Sequence, residues 1–388
     1  MLAKNLITKE DVAYCVEIRR KLHRRPEVGF DLPETQALVG RELEAMGLSW
    51  TGKYAPCSAV AYVNPEAKGK TLLLRADMDA LPILEKSGVE FASEKPGMMH
   101  ACGHDAHTAM LLTVGRVLNR IKEQLPCRVM LLFQPSEECE QSGARCMVEN
   151  GVTDEADYAV TIHCGNEHPT GYLGVIPGDY LAACDPITLT FHGKTAHATR
   201  FQEGVDAIQM ALEAWNGLKK IVAEEVGDRK HIFSLGYFHG GTAHNVISDE
   251  CAIKISFRYY DMNFGAKVRS RGLALLDAIC QKFGGTVDID WNTSAPPVIN
   301  DDRLAKVYLA SAQKVAGENC GPTGVRMGSE DFAWYLTKIP GVATRLGTGN
   351  AQKGSITTGH TNTYRIDEDA FENGICGLVQ FVLDAGQL

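Results

Sequence analysis

The chain has no excess of positive charge. Its 39 Lys plus Arg stand against 48 Asp plus Glu, a formal net charge of -9 over 388 residues. No basic surface is on offer for phosphate backbones, so nucleic acid and anionic membrane are disfavoured as partners. Long hydrophobic runs are also missing, since no apolar stretch approaches the ~20 residues of a membrane span. The opening MLAKNLITKEDVAYCVEIRR has neither an apolar h-region nor a small-residue cleavage site, so no secretory signal is expected. Nor do the 12 cysteines, scattered from Cys15 to Cys376, show the paired spacing of a zinc ribbon or the density of a disulfide scaffold. The expectation is a cytoplasmic protein with reduced thiols, most of them buried as small hydrophobes. Internal repeats and low-complexity segments are absent as well.

What is present is an ordinary globular mixture: 45% hydrophobic and 22% charged residues, with 38 Gly and 15 Pro. At ~150 residues per domain, the length suggests two domains or three. Thr8 is a natural N-cap for a helix ending at Pro26, and a second helix is expected from Pro33 to Met46, with Gly47 behind it. Strands SAVAYV (58–63) and TLLLRA (71–76), helix HTAMLLTVGRVLNRI (107–121), strand RVMLLF (128–133), helix GARCMVEN (143–150) and strand YAVTI (158–162) follow. That alternation is α/β logic, a buried sheet with helices across its faces. From Asp185 the order becomes β-α-β-β-α-β and closes on TVDIDW, after which SAPPVIN (294–300) reads as a linker and the first style resumes. The predicted organisation is therefore one α/β domain (1–184 and 296–388) interrupted by an inserted α+β domain (185–295).

Three hydrophobic strands run into residues suited to metal binding or acid/base work: TLLLRA into Asp77-Met78-Asp79, RVMLLF into Glu137-Glu138, and YAVTI into His163. In open α/β sheets the crevice beyond the strand carboxyl ends is where ligands bind. Between the first two lies Met99 to His107, with Cys102, His104 and His107 on a loop entering a helix. Cys, His and Glu from separate segments can converge there on one or two divalent ions. Cys139, Cys146 and Cys164 read instead as packing residues.

The segments LLLRADMDALPI, MHACGHDAHTAMLL, FQPSEE, GKTAHAT, GGTAHNVISDE, MGSEDFAWY and HTNTYRIDEDAF, in that order, resemble the M20 metallopeptidase family. The similarity is to its amidohydrolase branch, which includes hippurate hydrolases, N-acyl-amino-acid aminoacylases and auxin-conjugate hydrolases. The resemblance implies a two-metal catalytic domain with a mixed sheet flanked by helices, and an inserted lid domain through which the chain forms a homodimer. It makes Cys102, His104, Glu138, His163 and His360 the ligands of two divalent ions, with Cys102 as the bridge; zinc or manganese is expected, and nickel or cobalt is compatible. Glu137 becomes the general acid/base and Asp79 an orienting carboxylate, while the role of Asp77 stays open and His107 is assigned to packing or ligand support.

The implied reaction is hydrolysis of the amide bond of an N-acyl amino acid or related conjugate with a free carboxylate. The cations acidify a water, and Glu137 takes its proton and passes it to the leaving amine. His197, on the lid, is the implied oxyanion donor, in cis or across a dimer. Asn245 and Arg258 are the implied binders of the substrate carboxylate, and Glu330 and Asp331 are read as helix N-terminal acids. Thr199-Arg200-Phe201 and Thr361-Asn362-Thr363 depart from the family pattern, so the acyl group and amino-acid side chain are not named; Arg200 is a candidate contact for an extra acidic group. A dipeptidase or carboxypeptidase of the same family, a non-catalytic metal-binding protein and a Cys102-His104 thiol hydrolase are the alternatives.

Overall fold

The first helix starts where it does because Thr8 and Asp11 cap it reciprocally. Thr8 Oγ1 accepts from the Asp11 amide at 3.2 Å, and the Asp11 carboxylate accepts from the Thr8 amide at 3.0 Å. The computed structural model describes residues 1–388, the side chain of Gln387 excepted. Helices α1 (Lys9–Arg24) and α2 (Pro33–Ala45) precede strands β1 (Ala59–Val63) and β2 (Thr71–Asp77). Helix α3 (His104–Arg120), strand β3 (Arg128–Gln134), helix α4 (Gly143–Glu149) and strand β4 (Tyr158–Pro169) follow. Next come β5 (Ala183–His192), α5 (Ala207–Glu225), β6 (His231–Gly240), β7 (Glu250–Tyr259), α6 (Met262–Phe283) and β8 (Thr286–Trp291). The chain closes with α7 (Asp302–Ala316), β9 (Gly341–Gly349) and α8 (Phe371–Asp384), with shorter segments between.

Two compact units result, one of residues Met1–Tyr180, Val298–Val325 and Asp331–Leu388, the other of Leu181–Pro297 and Arg326–Glu330. The first is built on an eight-stranded sheet in which β1, β3, β2, β4 and β9 are successive neighbours. β1 runs antiparallel to β3 and the other pairings among these five strands are parallel, so the sheet is mixed. Every residue of β2 is buried, as a strand covered on both faces requires. Helix α3 packs on β2 and against α1 and α8, burying Met110, Leu112, Val114, Val117 and Leu118. Full burial of such side chains stabilises by roughly 1.5–3 kcal/mol each.

Register levels the functional strand ends. Asp77 pairs with Gln134 and Arg75 with Thr161, so Asp77, Gln134 and His163 arrive at the same edge. Two of the boundaries that differ from those the sequence suggests bear on the site. β4 continues to Pro169, because its main chain stays paired with β9 as far as Gly349 opposite Pro169. His163 therefore lies within a strand and not beyond its end. Helix α3 begins at His104, after Gly103 at φ +95°, which places His104 and His107 on one helical turn.

The second unit is a four-stranded antiparallel sheet in the order β6, β7, β5, β8. Alternate residues Ile187, Leu189 and Phe191 of β5 and Ile253, Ile255 and Phe257 of β7 are buried, and they share one core with Met210, Ala214 and Leu218 of α5 and Val268 and Leu276 of α6. β6 is an outer strand and exposes Ile232, Tyr237 and Phe238. Among the described residues no helix is long and apolar enough to cross a membrane. All 12 cysteines are free.

Candidate metal centre

Two turns beyond the strand ends carry the acidic groups. Asp79 is buried, and its two carboxylate oxygens accept from the consecutive amides of Glu137 and Glu138, each at 3.0 Å. The turn that presents those amides is tight. Ser136 sits at φ +54°, its hydroxyl donates to the Gln141 carbonyl at 2.7 Å, and the Gly143 amide donates to the Ser136 carbonyl at 2.8 Å. A Cβ on Gly143 would lie 1.7 Å from the Pro135 oxygen, so only glycine closes this loop. Glu137 and Glu138 are thus fixed as neighbours on irregular backbone, where successive side chains are free of strand alternation.

Ligand atoms of Cys102, His104 and His163 lie within 4.8 Å of one another, and so do those of Cys102, Glu138 and His360, and those of His104, Glu137 and Glu138. Cys102 belongs to the first two groups, as a shared ligand must. Its Sγ is 3.4 Å from His163 Nε2, and Glu138 Oε1 is 3.1 Å from His360 Nε2. His360 holds its place at φ +64°, a left-handed conformation costly for a residue with a side chain.

The ring nitrogens of the three histidines differ in which lone pairs they leave free. His104 Nδ1 lies 2.8 Å from the Asp79 carbonyl and donates to it, which leaves the lone pair on Nε2; that buried atom has no hydrogen-bond partner. His163 Nδ1 likewise donates to the Cys164 carbonyl at 2.7 Å, leaving Nε2 to face Cys102. Carbonyl-anchored imidazoles of this kind are oriented as metal ligands. In contrast, both nitrogens of His107 are occupied: Nδ1 is 2.6 Å from Asp77 Oδ1, and Nε2 accepts from the Cys164 amide at 2.9 Å. His107 has no lone pair to offer. Cys139, Cys146 and Cys164 join none of the clusters found among the described residues, although only Cys164 of the three is buried.

Charge balance fits cations. Burial, then the Glu138 carboxylate, push the Cys102 thiol up to about 12. A divalent ion is the charge that makes a thiolate favourable in such a place. Burial opposes ionisation of Asp77 too, yet His104, Arg75 and His107 together hold it well below the usual carboxylate range. The orphaned Nε2 of His104 and the mixed S, N and O donor set suit zinc or a similar borderline cation.

Beneath the ligands lies a polar foundation that local sequence does not announce. Arg75 donates to Asp77 at 2.6 Å, to Gln134 at 2.8 Å and to Asp331 at 2.8 Å. Asp331 also accepts from Ser142 at 2.7 Å and from the Ala144 amide at 3.1 Å, a buried brace and not merely a helix-terminal acid. On the other side, Arg19 Nε and His23 Nδ1 reach Asp105 at 2.8 and 2.7 Å, next to His104 in the chain. One signal was available: Arg19 interrupts the buried stripe Cys15, Ile18, Leu22 of α1.

On the second unit, His197 and Asn245 are brought together. His197 pairs with Val246 across a short two-stranded ladder, and the Ala198 amide donates to the Asn245 carbonyl at 2.9 Å. Both side chains are exposed. The Thr199 amide donates to His197 Nδ1 at 3.2 Å, so the neutral ring carries its proton on Nε2 and is a donor there. Arg258 is elsewhere on this unit, donating to the Met327 carbonyl at 3.1 Å and facing Ser329 Oγ at 3.4 Å. Arg200 is exposed, with Glu203 4.0 Å away, and Glu330 is buried.

Comparison with known proteins gives three kinds of match. The model of peptidase family M20/M25/M40 matches residues 73–384. Thermostable carboxypeptidase 2 of Saccharolobus solfataricus is 33% identical over 374 residues, covering 94% of each chain. N-acetyl-L-cysteine deacetylase of Bacillus subtilis is 33% identical over 356 residues, covering 92% of this chain and 84% of the relative. A crystal structure of a dinuclear metal-binding peptidase from the M20 family, also of Bacillus subtilis, superposes with a TM-score of 0.84 at 26% identity, covering 98% of this chain and 99% of that one.

Proposed function

The chain belongs to peptidase family M20/M25/M40, and from that premise we propose that it hydrolyses the amide bond of N-acyl amino acids, or related amino-acid conjugates, that carry a free carboxylate. It is a metal-dependent amidohydrolase or peptidase. What supports the substrate class is the likeness to N-acetyl-L-cysteine deacetylase, and what supports hydrolytic chemistry is the Asp79 clamp, which holds Glu137 and Glu138 together beside His104.

Cys102, His104, Glu138, His163 and His360 would hold two divalent ions, zinc or manganese, with nickel or cobalt compatible. Bound there, the ions supply Lewis acidity, lowering the pKa of a water and polarising the amide carbonyl. Glu137 takes a proton from the attacking water as its oxygen bonds to the carbonyl carbon. The same carboxyl then delivers that proton to the nitrogen as the C–N bond breaks, releasing a carboxylic acid and an amino acid. His197 is assigned the oxyanion, through its Nε2 proton. Arg258 is assigned the substrate carboxylate, for which a guanidinium fork is suited, and Asn245, which lies beside His197 at the other end of β7, is assigned the same carboxylate from a second copy of the chain in the dimer. Thiols without disulfides accord with the cytoplasm. The outer strand β6, with its exposed Ile232, Tyr237 and Phe238, is the surface we assign to homodimer formation.

The test is a substrate panel of N-acyl amino acids, their carboxamides and free dipeptides, run before and after chelation and metal return. Activity on N-acyl amino acids that vanishes with chelator and returns with metal is expected. Preference for free dipeptides would install the dipeptidase reading, and preference for the C-terminal bond of longer peptides the carboxypeptidase one suggested by the Saccharolobus relative. Arg258→Ala should lower kcat/KM roughly 10- to 150-fold on the carboxylate substrate. It should add little on the carboxamide; additive losses would return Arg258 to its bonds with Met327 and Ser329.

A further inference from the structure

The first unit has a second concavity whose lining contains none of the residues assigned above. It is a groove of about 580 Å³ between α1 and α2, a volume typical of small-molecule sites. Its apolar lining is Leu22, Pro33, Ala37 and Leu38. Around these stand Lys21, Arg24, Arg25 and Arg41, an unusual concentration of cations in an acidic protein.

Four cations on a surface are commonly just solvated, so their partners decide the matter. Arg25 is committed: its Nε is 2.9 Å from Glu34 and its Nη1 is 3.5 Å from Glu94, the two acids of the lining. Lys21 pairs with Glu17 at 2.7 Å. Arg24 and Arg41 remain, and neither guanidinium has a partner among the described residues. The helix end is not the attraction, because Glu27 already accepts from the Glu34 and Thr35 amides at 3.2 and 2.8 Å. A separate sign comes from Thr35. This lining residue is only 2% exposed, yet its hydroxyl has no hydrogen-bond partner. A buried polar group left unpaired is costly, and this one belongs to a residue of the groove lining.

We propose that this groove is a second ligand site, for a small organic anion with an apolar body, its carboxylate or phosphate held by Arg24 and Arg41 and a polar atom meeting Thr35. The apolar part covers Leu22 and Leu38. The site is independent of the reaction assigned to the metal centre. Its place is nonetheless consequential: α1 also carries Arg19 and His23 to Asp105, beside His104.

Photolabelling of the metal-loaded enzyme with 4-azidobenzoate, followed by peptide mapping, tests the proposal. Label should fall within residues 21–41 and be displaced by benzoate or phenyl phosphate, the stronger competitor identifying the head group. Benzyl alcohol and inorganic phosphate, each lacking one half of the ligand, should compete at least about tenfold less well. Arg24→Ala with Arg41→Ala should weaken binding roughly 10- to 100-fold while circular dichroism stays native. Thr35→Val should weaken binding a few-fold yet leave Tm unchanged or raised, since it removes an unpaired buried hydroxyl. Absence of label from 21–41, label undiminished in the double arginine variant, or equal competition by inorganic phosphate would overturn the proposal.

Discussion

A single carboxylate, Asp79, organises the centre at the scale of the residue. It accepts from the amides of both Glu137 and Glu138, and its main-chain carbonyl fixes the tautomer of His104. Asp79→Asn keeps the shape but turns one acceptor into a donor aimed at an N–H. Supports of metal ligands typically contribute 10- to 100-fold in affinity or activity, and a loss of that size is expected. Titration of the apoenzyme with zinc, read beside turnover, checks it; native affinity and native turnover together would remove Asp79 from the centre. Asp79 is legible in the sequence as an acid that follows a strand at an expected sheet edge, and its orienting role only as what the family resemblance implies. Its actual partners are not, since they lie 58 and 59 residues away and depend on how the Ser136 turn closes.

Among the elements, the turn from Ser136 to Gly143 is the one with least freedom. Gly143→Ala must displace the Pro135 carbonyl that a Cβ would meet at 1.7 Å. Stability should fall by roughly 3 kcal/mol or more, seen as a lower urea midpoint at unchanged m value. A midpoint within experimental error of wild type would show that the loop relaxes freely. Elements with a strong local signal are readable: the Thr8 cap follows from its residue type ahead of α1, and β2 from its apolar run. β4 was not read to its full length, because His163, Asn166, Glu167 and His168 interrupt its hydrophobic run while β9 keeps its backbone paired. The sequence pattern places the start of α3 at His107, three residues beyond its actual start at His104, for a related reason. His104 and Asp105 look like loop residues until Gly103 turns the chain and Arg19 and His23 neutralise Asp105. Arg75 was hidden altogether, since Asp331, its partner across 256 residues, arrives from the far end of the chain.

For the whole molecule, Leu181–Pro297 together with Arg326–Glu330 form a second compact unit with its own core, and the change of sequence rhythm near Asp185 falls close to its start. β6 leaves that unit with an unpaired edge and three exposed hydrophobics, a liability unless it is covered. If this edge forms the proposed dimer, Tyr237→Lys with Phe238→Lys should convert dimer to monomer in sedimentation velocity while secondary structure is retained. A dimer of unchanged affinity would place the interface elsewhere. The proposed reaction rests on a division of labour between two adjacent carboxylates, and one measurement reaches it directly: metal content and turnover determined on the same preparations of wild type, Glu137→Gln and Glu138→Ala. Wild type should carry two divalent ions per chain. Glu137→Gln should keep both and lose turnover by at least about 100-fold, because only the proton carrier is gone, whereas Glu138→Ala should lose metal and turnover together. A Glu137→Gln enzyme with full metal and near-native turnover would contradict the assignment.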